Sequence, residues 1–384
     1  MSKATPLFAI AALALTAGCS DKPALTAPTR PNPLVSALPA PTPTALTVAP
    51  PEILEGFTTY VIVRGVNALG DAVGVTGGMG GGPQAVRWVT GSTVPSHVAG
   101  GEPQDINSAG QIVGDSLGYA TLWTPNGAGG YTRTSIAKQL PSAITSSAYG
   151  INASGQVVGW YRVAGSAGGW VDKCFVWTPV TRNGTTGTVT TIQGLGGNYC
   201  VALDINSAGN VVGGSTTVDG ETHAFIWSPG GGGRLGKIRD LTPRGGPSNA
   251  SAINDGGLIA GQHLSNAAIW KPVPGGSYEV TDLGTFTGTQ SWAYDINDAG
   301  FVVGFASREN PYHEDAFIWQ NGEFTLLPGT TPLTEAAALT SASGNSVQVV
   351  GVSSDAATGT HTGLRWTVTM TSAASAASAS SSPN

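Results

Sequence analysis

"DINSAGNVVGGS", residues 204–215, is nearly repeated three more times: "DINSAGQIVGDS" at 105–116, "GINASGQVVGWY" at 150–161 and "DINDAGFVVGFA" at 295–306. Shorter versions surround Asn67 ("VNALGDAVG") and Asn254 ("INDGGLIAG"), and a degraded copy, "LTSASGNSVQVVG", occupies 339–351. A phrase that recurs at a roughly fixed period marks a repeat architecture in which each copy is one supersecondary module. Every copy is followed by a strand-like run ending in tryptophan: Trp88, Trp123, Trp177, Trp227, Trp270, Trp319 and Trp366. Seven phrases alternate with seven tryptophans.

Each module reads as four short strands. "SAYGIN" (147–152) leads into "QVVG" (156–159) through Asn-Ala-Ser-Gly. That order suits a type I turn closed by a glycine in the left-handed region. "HAFIW" (223–227) exemplifies the third strand, and "KIRDL" (237–241) or "YEVTDLG" (278–284) the fourth. Four strands in about 45 residues is the blade of a β-propeller. The expected fold class is therefore all-β, a β-propeller of seven four-stranded blades. A strand with one wet face alternates apolar and polar residues, whereas "CFVW" (174–177) and "AFIW" (224–227 and 316–319) are apolar on both faces. Such strands must be covered on both sides, as stacked blades are. Arg87 and Arg365 interrupt this pattern. One position is small throughout, at Ala85, Ala120, Cys174, Ala224, Ala267, Ala316 and Gly363, as close sheet-to-sheet packing requires. The seventh copy ends at "LRWTVTM" without a fourth strand of its own, so "TTYVIV" (58–63), with "PEIL" before it, is expected to complete the last blade.

With the phrase, "HAFIW" and the "DLG" endings together, residues 60–366 resemble the HAF repeat family of bacterial extracellular proteins, named for the triplet here at His223-Ala224-Phe225. The resemblance implies a secreted, propeller-like fold and no established reaction, substrate or cofactor.

The N-terminus reads as a secretory signal: "MSK", a short apolar run "LFAIAALAL" (7–15), then "TAGCS". Cys19 after Ala17-Gly18 resembles the lipobox of bacterial lipoproteins, with Thr16 where that family usually has leucine. The resemblance implies a diacylglycerol thioether on Cys19 and, from Ser20, sorting to the outer membrane; an ordinary signal cut nearby, giving a secreted protein, is the alternative. The expected layout is a signal over 1–18, the lipid anchor and a Pro/Ala/Thr-rich linker over 19–54, the propeller over 55–370 and a Ser/Ala tail over 371–384. The linker composition favours an extended spacer. Membrane contact is expected through the lipid alone, since no later apolar run approaches a spanning length.

Charged residues are 10% of the chain against an ordinary ~25%. A net charge of −6 offers no basic patch, which excludes nucleic acid as a partner class. The chain is expected to be a monomer with no cofactor.

Candidate chemistry is sparse. The position of His223 holds Gln84, Tyr119, Lys173, Asn266, Asp315 and Thr362 in the other modules. With no shared ligand type, it reads as a solvent-facing strand entrance and not a metal site. Asp105, Asp204 and Asp295 recur, yet Gly150 and Ala252 replace them elsewhere. They read as structural carboxylates bonding a neighbouring backbone N–H, and no catalytic residue is assigned. With Cys19 lipidated, Cys174 and Cys200 remain as an even pair in an oxidising compartment. A disulfide across adjacent blades is expected, although Cys174 also fills the small-residue slot that alanine fills elsewhere. Trp160, Tyr161, Trp170 and Trp292 fall outside the repeat pattern and are the candidate ligand-binding residues; the alternative is that they cap gaps between blades. The leading expectation is a surface-anchored module that binds a protein or a glycan through loops at one rim. A hydrolase or lyase acting on polysaccharide, and a purely structural envelope component, are the alternatives.

Overall fold

The computed structural model describes residues 44–77, 82–166, 168–230, 236–243, 245–285, 288–309 and 313–372. Cys19, the signal segment and residues from 373 onward lie outside the described residues. Residues 46–371 form one compact body.

Two short strands, β1 (Thr44–Val48) and β2 (Glu52–Leu54), precede the repeats. Repeat 1 is β3 (Val61–Val66), β4 (Ala72–Gly77), β5 (Pro83–Trp88) and β6 (Ser96–Gly100). Repeat 2 is β7 (Glu102–Ile106), β8 (Ile112–Ser116), β9 (Tyr119–Pro125) and β10 (Tyr131–Ser135). Repeat 3 is β11 (Thr145–Ile151), β12 (Val157–Ala164), β13 (Trp170–Pro179) and β14 (Gly187–Ile192). Repeat 4 is β15 (Gly196–Ile205), β16 (Val211–Thr217), β17 (Thr222–Ser228) and β18 (Lys237–Asp240). Repeat 5 is β19 (Ser248–Ile253), β20 (Ile259–His263), β21 (Asn266–Pro272) and β22 (Tyr278–Gly284). Repeat 6 is β23 (Ser291–Ile296), β24 (Val302–Arg308), β25 (His313–Gln320) and β26 (Glu323–Leu326). Repeat 7 is β27 (Leu333–Leu339), β28 (Ser346–Asp355) and β29 (Thr360–Ser372).

Repeats 1 to 5 are each a four-stranded antiparallel meander. Repeats 6 and 7 are the same meanders, joined into a nine-stranded sheet by one parallel bridge between Glu314 and Leu333. The fourth strand of repeat 7 is β2, whose Glu52, Ile53 and Leu54 pair with Arg365, Leu364 and Gly363. "PEIL" thus completes the last sheet, while "TTYVIV" leads into the first strand of repeat 1. The body begins inside the segment expected as linker, and Thr371 and Ser372, expected in the tail, still belong to β29.

A hydrophobic cluster fills the junction of every consecutive pair of repeats. One example joins Val158, Cys174 and Ile192 of repeat 3 to Cys200, Ala202 and Phe225 of repeat 4. Another joins Val350 and Ala338 of repeat 7 to Val61, Val63 and Trp88 of repeat 1. First strands touch in the same order, β3 to β7 and onward to β27, and β27 touches β3. This two-sided burial is why "AFIW"-type strands carry no polar face. The small slot is fully buried at Ala85, Ala120, Cys174, Ala224, Ala267 and Ala316. Arg365, only 2% exposed, reaches the Ser92 carbonyl (3.2 Å) and the Glu52 carboxylate (3.5 Å), and so ties repeat 7 to its borrowed strand.

The quoted phrase is the hairpin between first and second strands. In repeat 4 the Asn206 N–H donates to the Asn210 carbonyl (3.1 Å), and the Gly209 N–H donates to the Asn206 carbonyl (3.0 Å). Gly209 has φ +79°, the left-handed value that closes this turn. Asn206 Oδ1 accepts the N–H groups of Ala208 (3.2 Å) and Asn210 (3.0 Å). Its Nδ2 donates outward, to the Asn254 carbonyl of repeat 5 (3.1 Å). The same relay runs from Asn67 to Asn107, Asn152, Asn206, Asn254, Asn297 and the Thr340 carbonyl, at 3.0–3.2 Å. Cys174 and Cys200 are joined by a disulfide, with Cα atoms 5.2 Å apart, which staples repeat 3 to repeat 4.

Two stability outcomes follow. Asn206→Asp keeps the Oδ1 acceptor and removes the inter-repeat donor, so it should cost about 1 kcal/mol, whereas Asn206→Ala also orphans turn N–H groups and should cost about 3 kcal/mol; urea unfolding of both variants checks the ordering. Cys200→Ser should lower stability by about 3 kcal/mol through the freed chain entropy of the unfolded state, and addition of reductant to the unsubstituted protein should give a similar loss.

Candidate functional site

Each first strand carries one β-bulge just before its turn, between Val63/Gly65, Pro103/Asp105, Ala148/Gly150, Ala202/Asp204, Ala250/Ala252, Ala293/Asp295 and Ala336/Ala338. The bulge brings the strand against the glycine of "VVG": a Cβ on Gly213 would overlap the Val201 carbonyl, and one on Gly304 the Trp292 carbonyl. The residue left unpaired by each bulge is Arg64, Gln104, Tyr149, Leu203, Ser251, Tyr294 or Ala337. This is where the repeats stop agreeing.

Next to the bulge, Asp105, Asp204 and Asp295 each accept two backbone N–H groups. One is the following residue's (2.7 Å in all three), and the other is that of Ile151, Ile253 or Leu339 in the next repeat (2.8–2.9 Å). These carboxylates therefore couple repeats 2–3, 4–5 and 6–7. The alternate repeats have Gly65, Gly150 and Ala252 there, and a Cβ on Gly150 would meet the Leu203 carbonyl at 2.8 Å. Loss of hydration pushes Asp105 up to about 8, Asp295 to about 7 and Asp204 to about 6, against the pull of their N–H donors.

Away from the turns, two groups of side chains gather around the first strands. In the first, Arg64 pairs with Glu102 (3.0 Å), and both lie close enough to Tyr149 to bias its ionisation, as does Asp115. Burial, and then the charge of Glu102, lift Asp115 to about 6. The Trp160 side chain bonds the Tyr149 hydroxyl, and the Arg162 guanidinium lies 5.4 Å from the Trp160 ring centre. Arg162 is itself held bidentately by Asp172 (2.6 and 2.8 Å). Tyr199 is pushed up to about 12 by burial first and by neighbouring Tyr149 next.

In the second group, Trp292 stacks on Tyr294 with centroids 6.2 Å apart, and Tyr294 lies 5.8 Å from Phe305. Trp292 Nε1 donates to Ser251 Oγ (2.8 Å). The Tyr294 hydroxyl bonds the Glu335 carboxyl, which also bonds Glu314. Burial, and then the charge of Glu314, lift Glu335 to about 8. The protonated form is thereby favoured.

Among the sequence-selected aromatics, Trp160 and Trp292 join these groups. Trp170 begins β13 and is 58% exposed. Tyr161 is corrected: it is 1% exposed, packs in the core between repeats 2 and 3, and exchanges a hydrogen bond with Thr191 (2.9 Å). Adjacent strand residues face opposite sides of a sheet, so Trp160 and Tyr161 cannot serve the same surface. The expected solvent exposure of His223 is corrected too. It is 7% exposed, and its Nδ1 lies 2.8 Å from Asp240 of the fourth strand. A cavity of about 190 Å³ lies among the turns of repeats 3 to 7. Its asparagines are already committed to the relay, and its Asp255 accepts from the N–H and hydroxyl of Ser207 (both 2.8 Å). Among the described residues no group of three or more His, Cys, Asp or Glu side chains is arranged to hold a metal.

Arg64, Glu102, Asp115, Tyr149, Tyr199, Tyr294, Glu314 and Glu335 were not legible as a site from the chain alone. The available signal was the residue three before each turn asparagine, which varies while its neighbours repeat.

No known protein family matches the sequence, and no curated protein matches it. A crystal structure of a protein of unknown function from Dyadobacter fermentans is similar over 85% of this chain and 99% of that one, at 10% identity and a TM-score of 0.46.

The raised carboxyls set a pH dependence. In the unfolded chain these groups titrate near 4, so the folded state binds more protons between about pH 4 and pH 8. Stability that is complete below about pH 4 is then lost as pH rises through the folded values of about 6 to 8. Thermal unfolding midpoints should fall from pH 5 to pH 9, and Glu335→Gln should flatten the upper part of that slope.

Proposed function

We propose that the seven repeats close into a seven-bladed β-propeller that binds a glycan, without catalysis, at the central mouth opposite the asparagine turns. Closure is supported by the apolar junction of repeat 7 with repeat 1 and by the contact of β27 with β3. The observation that carries the binding reading is the unshared bulge position together with its neighbours. There Tyr149 stands near the carboxyls of Glu102 and Asp115, and in the other group the stacked Trp292 and Tyr294 stand near the carboxyl of Glu335. Flat apolar faces with adjacent hydrogen-bonding groups are the chemistry that recognises sugar rings.

As part of the same proposal, the protein works outside the cytoplasm, tethered by lipid on Cys19; the Cys174–Cys200 disulfide supports an oxidising compartment.

A glycan array probed with the full chain tests this reading. Retention of at least one glycan class is expected, and Trp292→Ala should weaken it roughly three- to tenfold. Folded protein that retains no glycan would rule the reading out.

A further inference from the structure

The side chains two residues before the bulge share one face of the first strands with the bulge residues, because strand side chains alternate. Three of them hold a buried polar atom that has no hydrogen-bond partner among the described residues: Ser147 Oγ, Asn249 Oδ1 and Glu335 Oε2. Ser147 is only 7% exposed. They belong to repeats 3, 5 and 7 at one register position. The two carbonyl-type oxygens can only accept while Glu335 is ionised, and the hydroxyl can do either. Leaving such atoms unpaired is costly, so a recurrent row of them points to an occupant that donates.

Charge points the same way. Arg64 is committed to Glu102, Arg162 to Asp172 and Arg308 to Asp315. Among the described residues no lysine or arginine forms an ion pair with Asp115 or Glu335. The stacked Trp292 and Tyr294 add electron-rich faces, which attract cations. Acceptors, carboxyls outside any ion pair and aromatic faces together match a ligand that carries N–H donors and positive charge.

We propose that the glycan is an amino sugar polymer with free amines, whose ammonium groups are taken by Glu335 and Asp115 while its rings lie on Trp292. This rests on the glycan-binding reading above and names the class of sugar. An N-acetyl group in place of the amine would remove the charge and two donors, and a neutral hexose would remove both outright.

Isothermal titration of the full chain with glucosamine hexamer, N-acetylglucosamine hexamer and cellohexaose, at pH 7, where Asp115 is largely ionised and an approaching ammonium favours the ionised form of Glu335, tests the assignment. The glucosamine hexamer should bind about tenfold or more tighter than the other two, the difference of one charge-assisted contact. Glu335→Gln and, separately, Asp115→Asn should each abolish most of that preference, bringing the glucosamine hexamer down to the affinity of the other two; two sites guard against one variant that fails to fold. Glu279→Gln, on the exposed fourth strand of repeat 5, should change nothing. Equal affinity for all three oligosaccharides overturns the amino-sugar assignment and leaves glycan binding standing. Loss of preference in Glu279→Gln equal to that in Glu335→Gln also overturns it, since general attraction to an acidic protein would then account for the binding. Absence of binding by all three defeats both the assignment and, with the array negative, the glycan reading itself.

Discussion

Six of the seven repeats depend on one asparagine that works in two directions. Its carbonyl oxygen satisfies the N–H groups of its own hairpin, and its amide nitrogen reaches the main chain of the next hairpin. A carboxylate of the same size would lack the donor, and a serine would not span both. The side chain therefore fixes turn geometry and repeat spacing at once. Six such links in series make the angle between neighbouring repeats a property of the turn, and the apolar junctions then fill whatever space that angle leaves.

Beneath this relay lies a second, sparser one. Aspartate occupies repeats 2, 4 and 6; glycine stands at that position in repeats 1 and 3, where a Cβ would press on the backbone of the next repeat, and alanine stands there in repeats 5 and 7. Six of the seven repeats are thereby grouped in pairs, 2–3, 4–5 and 6–7. An odd number of repeats cannot be paired throughout. Repeat 1 is the one left over, and it is joined to repeat 7 by the N-terminal strand.

The fold was legible because its causes are local and written seven times. Glycine opposite a bulge, asparagine before a left-handed glycine and a small residue in the stacked strand each leave a mark at fixed spacing. His223 was misread because the sequence separates it from Asp240 by a loop, whereas cross-strand pairing brings them together. Tyr161 was misread because an aromatic that departs from the repeat can fill a wider junction as well as face a ligand. The carboxyl and aromatic groups on the first strands were illegible for a different reason. They come from separate repeats and meet only once the sheets are stacked, and no spacing along the chain encodes that meeting.

The borrowed strand of repeat 7 has a consequence for how the chain comes into being. Glu52 and Arg365 are 313 residues apart, and closing a flexible loop of that length costs on the order of 5 kcal/mol in chain entropy. The hairpins and the junctions between neighbouring repeats carry no such penalty and can form as synthesis proceeds. The seam between the first and last repeats is thus the last contact available to the nascent chain. Until residue 363 has emerged, Leu54 has no partner strand, and an almost complete polypeptide still presents two unpaired sheet edges to its surroundings.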